Sequence, residues 1–75
     1  MNSDKVLDAK GLVCPMPIVK TKKEMKEMVS GQILEIHSTD QGAKSDLTAW
    51  AKSTGNELLD FQEDAGVLKF WIRKG

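Results

Sequence analysis

Hydrophobic and polar positions divide this chain into six segments. Lys5-Val6-Leu7-Asp8 is short, apolar at its centre and bounded by polar residues, and it reads as a first strand. From Pro15 to about Val29 the period changes. Ile18, Thr21, Met25, Met28 and Val29 recur every three or four positions, the spacing of one helix face. Ser30-Gly31 is expected to close that helix, with the glycine as C-terminal cap. Gln32–Ser38 then alternates Leu34 and Ile36 with Ile33, Glu35 and His37, as a strand does.

A second helix is expected over Ala43–Thr54. Its face is Ala43, Leu47, Trp50 and Ala51, its cap Asp40 or Thr39, and its stop Gly55. Trp50 falls at a core position. Glu57–Gln62, with Leu59 and Phe61 on one face, and Val67–Arg73, with Leu68, Phe70 and Ile72 alternating, read as two strands. Glu63–Gly66 turns between them to make a hairpin. The order is β-α-β-α-β-β. Two amphipathic helices must then cover one face of a four-stranded mixed sheet, an α+β, two-layer α/β sandwich. Trp71 and Val67 are expected on the other face, which stays wet or meets a partner.

Composition narrows the function. Seventy-five residues make one small domain, 1–75, with a thin core. Formal net charge is zero, which argues against direct nucleic-acid binding. One cysteine and one histidine supply neither an internal disulfide nor a set of structural zinc ligands. No apolar h-region follows Met1, and no run of apolar residues has the length of a membrane span. The expectation is a cytoplasmic chain, monomeric on its own, with no membrane association and a reduced thiol.

That thiol belongs to Gly11-Leu12-Val13-Cys14-Pro15-Met16-Pro17, which also holds both prolines. Proline is favoured at the first helical position, so Pro15 is expected there, with Cys14 as N-cap. Pro17 has no N–H. The amide of Met16, with Ile18 behind it, is then the donor left for the sulfur. The helix dipole acts in the same direction, and both favour the nucleophilic thiolate. Against this stands the common fate of a free cysteine, burial as a small hydrophobe. Gly11 suits a backbone angle that other residues resist. Lys20 and Lys23 lie either on a solvated helix face or on a docking surface for an acidic partner. His37 is expected as a partly exposed strand residue with no catalytic role, since nothing in the sequence brings it to Cys14.

Asp8-x-x-Gly11-Leu12-x-Cys14-Pro15-x-Pro17, opening the first helix of a chain of this order and length, resembles the TusA/SirA-type sulfur carriers over nearly the whole sequence. The resemblance implies a sulfurtransferase that acts as a persulfide carrier. Cys14 would be the persulfide site, and Asp8, Gly11, Pro15 and Pro17 its motif and geometric frame. The donor would be a cysteine desulfurase or similar protein, and the acceptor a protein of tRNA thiolation, molybdenum cofactor synthesis or another sulfur-transfer pathway. No metal or organic cofactor would be needed, only the transient persulfide. Some family members carry a second cysteine in the second helix; Ala51 stands in that place here. The alternatives are a regulatory or binding module, in which Cys14 only packs, and a thiol redox sensor. The sensor would need an intermolecular partner, because no resolving cysteine is present.

Overall fold

The computed structural model describes residues 3–13 and 15–75. Its elements are β1 (Lys5–Ala9), α1 (Met16–Lys26), β2 (Ile33–Ser38), α2 (Ala43–Thr54), β3 (Glu57–Asp64) and β4 (Val67–Arg73). They form one four-stranded sheet in the order β1-β2-β4-β3. β1 pairs parallel with β2, and β4 pairs antiparallel with both β2 and β3. Thus β1, β2 and β3 run one way, and each helix returns the chain between parallel strands. The two helices are therefore parallel to each other.

Strand alternation sends Leu34, Ile36, Leu68, Phe70 and Ile72 to one face, all buried. There they meet Met25 and Met28 from the α1 segment and Ala43, Leu47 and Ala51 from α2. Burying such side chains is worth roughly 1.5–3 kcal/mol each before entropy is counted, which is why both helices lie on this one face. Trp50 and Ile18 pack on the rim of the core, partly buried. Lys5 ties β1 to α1, with Nζ 2.5 Å from Glu24 Oε2.

Several expected boundaries move. β1 extends to Ala9, which is fully buried and paired with Ser38. α1 ends at Lys26, short of Val29. Its last amides close on nearer carbonyls, Glu27 N–H on Glu24 O and Met28 N–H on Met25 O, and the ammonium of Lys74 takes up the carbonyls of Met25 and Met28 at 2.6 and 2.5 Å. Met28 still reaches the core from this turn, but Val29 is 65% exposed. Gly31 lies four residues beyond the helix cap Glu27 and shapes the following turn at φ +92, so it is not the cap. Gly55, with φ +78, does cap α2.

Neither Asp40 nor Thr39 is the N-cap of α2; Gly42 is, with no side-chain cap. Asp40 acts two residues earlier, accepting from the Gly42 amide through Oδ1 and from the Ala43 amide through its carbonyl. In β3 the register shifts between Leu58 and Asp60. That irregularity sends Leu58, with Phe61, to the core rim in place of Leu59.

The outer face of the sheet is mixed. Trp71 is only 6% exposed and lies there with half-buried Val67. The Trp71 indole N–H donates to Glu35 Oε1 at 3.0 Å, and the Ser3 hydroxyl donates to the same oxygen. His37 Nε2 pairs with Glu35 Oε2. His37 is thus a partly buried strand residue on the face away from the helices.

Candidate functional site

The loop that leads into α1 is built by short-range polar contacts. Asp8 Oδ1 accepts from the Lys10 amide at 3.0 Å, and the Leu12 amide donates to the Ala9 carbonyl. Gly11 sits at φ +82, in the left-handed region where any β-carbon is strained. A β-carbon there would meet nothing within 4 Å, so the backbone angle, not crowding, selects glycine. The Gly11 amide donates to Thr39 Oγ1 at 2.9 Å. This bond joins the loop before α1 to the loop before α2. The N-termini of two parallel helices therefore lie at one end of the sheet, and their dipoles present positive ends together.

Cys14 itself lies outside the described residues; its neighbours do not. The expected capping arrangement is corrected by them. The N-cap of α1 is Pro15, at φ −95 and ψ 12, and the first helical residue is Met16. Pro15 fits because an N-cap residue contributes its carbonyl, not its amide, and here that carbonyl accepts from Val19 at 3.1 Å. The Met16 amide, expected for the sulfur, donates to the Val13 carbonyl at 2.9 Å. Cys14 precedes the N-cap by one residue in the sequence. Pro17 is buried at the second helical position, and its carbonyl accepts from the fully buried Thr21 hydroxyl at 2.7 Å. The helix start is pinned from below.

Asp8, Gly11, Pro15 and Pro17 thus meet in one loop-to-helix junction. Lys20 and Lys23 continue from it as exposed positions on α1, without an ion pair among the described residues. His37 is the register partner of Asp8 on β2, and its side chain pairs with Glu35 on the outer face. Two contributions escape the sequence reading. One is Thr39, whose partner is 28 residues away. The other is an apolar collar: Val13 is 68% exposed, Met16 39% and Val19 48%. Met16 and Val19 fall off the stripe that contains Ile18, Thr21 and Met25, and that misfit is the signal that could have found them.

A small α/β domain with one thiol in its sequence, on a proline-framed junction where two helices begin, is a single-thiol domain of the Cys-Pro-x-Pro kind. The family model "Sulfurtransferase TusA" matches residues 5–74. The chain belongs to the TusA family. YrkI of Bacillus subtilis is 68% identical over 75 residues, covering 100% of both chains. The sulfur carrier protein TusA of Allochromatium vinosum is 48% identical over 71 residues, covering 95% of this chain and 93% of that one. A crystal structure of a SirA-like protein from Desulfitobacterium hafniense superposes with a TM-score of 0.84 at 26% identity, over 95% of this chain and 97% of that chain. No helix among the described residues is long and apolar enough to cross a membrane.

Proposed function

We propose that this chain carries sulfane sulfur as a persulfide on Cys14. The Cys14 thiolate attacks the outer sulfur of a donor protein's persulfide. The sulfur–sulfur bond of the donor breaks, and the donor thiolate leaves. An acceptor thiolate then attacks the outer sulfur of the Cys14 persulfide, and Cys14 leaves as thiolate. Each step is a thiol–disulfide type exchange and needs no outside oxidant. A sulfur near helix N-termini gains in both steps, as nucleophile when loaded and as leaving group when unloaded. The donor is a protein of the cysteine desulfurase type. The acceptor serves tRNA thiolation, molybdenum cofactor synthesis or another sulfur-transfer pathway.

The observation that supports this most is the match to the TusA family over residues 5–74, which includes Cys14-Pro15-x-Pro17. The surface agrees with it. Val13, Met16 and Val19 offer exposed apolar area beside the cysteine, with Lys20 and Lys23 at its edge. An apolar centre with a charged rim is the anatomy of a transient protein interface, and the rim charges favour an acidic partner. Asp8, Gly11, Pro15 and Pro17 are positioning residues in this reading.

The test is transfer of label. Cysteine labelled at sulfur is supplied to a desulfurase in the presence of the chain. Label that appears on the wild type, and is absent from Cys14→Ser, supports the reading. A labelled Cys14→Ser chain would overturn it. Bound sulfane sulfur also separates a carrier from a redox sensor, which would hold oxygen or a mixed disulfide instead.

A further inference from the structure

A second concave surface lies at the other end of the helix layer, about 15 Å along α1 from Met16 by helix rise. Lys22, Met25 and Lys26 of α1 and Trp50 and Thr54 of α2 line it, and Asn56, Lys74 and Gly75 complete the lining. Met25 and Trp50 give it an apolar base. Its volume is about 260 Å³. That falls below the roughly 300–1,000 Å³ of small-molecule sites and fits one or two side chains of a peptide.

Charge decides what those side chains are. Three lysines and no acidic side chain line the groove. Lys74 is engaged by the Met25 and Met28 carbonyls. Lys22 and Lys26 make no ion pair among the described residues. They stand four apart on one helix, where like charges repel. Glu24, between them in sequence, is turned to Lys5 on β1 and does not offset them. A groove with an apolar base and two cations free of ion pairs is complementary to an anion-bearing apolar ligand.

We propose that this groove docks a segment of a partner protein in which an apolar side chain is flanked by aspartate or glutamate. The apolar side chain rests on Met25 and Trp50, and the carboxylates pair with Lys22 and Lys26. Because the groove is at the C-terminal ends of the helices, it anchors a partner without covering the Cys14 junction. Anchoring of this kind raises the effective concentration of the partner at the thiol.

The probe is a capped hexapeptide alternating leucine with glutamate, titrated into the nitrogen-labelled full chain and followed by NMR. A lysine-for-glutamate peptide and a short single-stranded RNA serve as controls. The expected result is movement of the Trp50 indole N–H and of the amides of Lys22, Met25 and Lys26 with the acidic peptide alone. Lys22→Glu with Lys26→Glu should weaken binding about tenfold, from loss of two exposed ion pairs. Lys22→Gln with Lys26→Gln should give a smaller loss with an unchanged folded spectrum. Equal binding of the basic peptide, preferential binding of RNA, shifts confined to the Val13–Val19 collar, or no shift at millimolar peptide would each overturn the proposal. No sulfur chemistry enters the readout, so its failure is distinct from failure of the carrier reading.

Discussion

Glu35 carries the densest set of polar contacts on the outer face. His37 pairs with one of its oxygens, and Trp71 and Ser3 donate to the other. These bonds, chiefly the one from His37, hold its carboxyl below the usual range, against the opposing effect of burial. A lowered folded pKa means that stability is present above the unfolded value and is lost as pH falls through the folded one. Wild-type stability should therefore decline on acidification below the ordinary carboxylate pKa. Glu35→Gln should flatten that acid limb and cost about 1–3 kcal/mol at neutral pH, for loss of charge-assisted bonds. Thermal unfolding followed against pH for the two proteins checks both statements. At this scale the sequence was readable where chemistry is local. It offered Cys14 beside two prolines, and Gly11 before them. It did not offer the amide economy of the turn. The Met16 N–H is taken by Val13, a choice made by loop geometry that residue identity does not encode.

Among elements, the bond from Gly11 to Thr39 links the two loops that precede the helices. Thr39→Val removes the acceptor and leaves the Gly11 amide unpaired. The expected cost is about 1 kcal/mol in urea unfolding. Loading of Cys14 by a desulfurase should slow at the same time, while the unfolded thiol alkylates as before. Lys74→Met should cost about 1–2 kcal/mol by freeing the carbonyls at the end of α1, again by urea unfolding. The stripe Ile18, Thr21 and Met25 and the alternation in β2 and β4 announced their elements, because burial of one face dictates the period. The ends of elements were less legible. α1 stops at Lys26 because a lysine 48 positions later in the chain reaches its last turn, and β3 exchanges Leu59 for Leu58 at a register shift. Both depend on contacts distant in sequence. Leu58→Ala should accordingly destabilise more than Leu59→Ala.

For the molecule as a whole, the parallel helices on one sheet face give the domain two distinct ends. The Cys14 junction, the collar of Val13, Met16 and Val19, and the loop holding Thr39 share one end. The groove over Met25 and Trp50 occupies the other. Zero net charge conceals an uneven layout: Lys20, Lys22, Lys23 and Lys26 are exposed on α1 with no ion pair among the described residues, while Glu24 and Glu27 turn to Lys5. Sulfur transfer with an acidic partner should therefore weaken with salt despite a neutral chain. Lys20→Glu with Lys23→Glu should lower kcat/KM for loading about tenfold, mostly through KM, and reduce the salt dependence. Transfer rates at two ionic strengths measure both.

The most direct measurement is the intact mass of the chain after incubation with a cysteine desulfurase and cysteine. The expected result is a gain of one sulfur, removed by reductant and localised by digestion to the peptide holding Cys14, with Cys14→Ser folded and unmodified. A chain that gains no sulfur from any desulfurase tried while Cys14 alkylates readily, or one that gains sulfur on a peptide lacking Cys14, would contradict the carrier function.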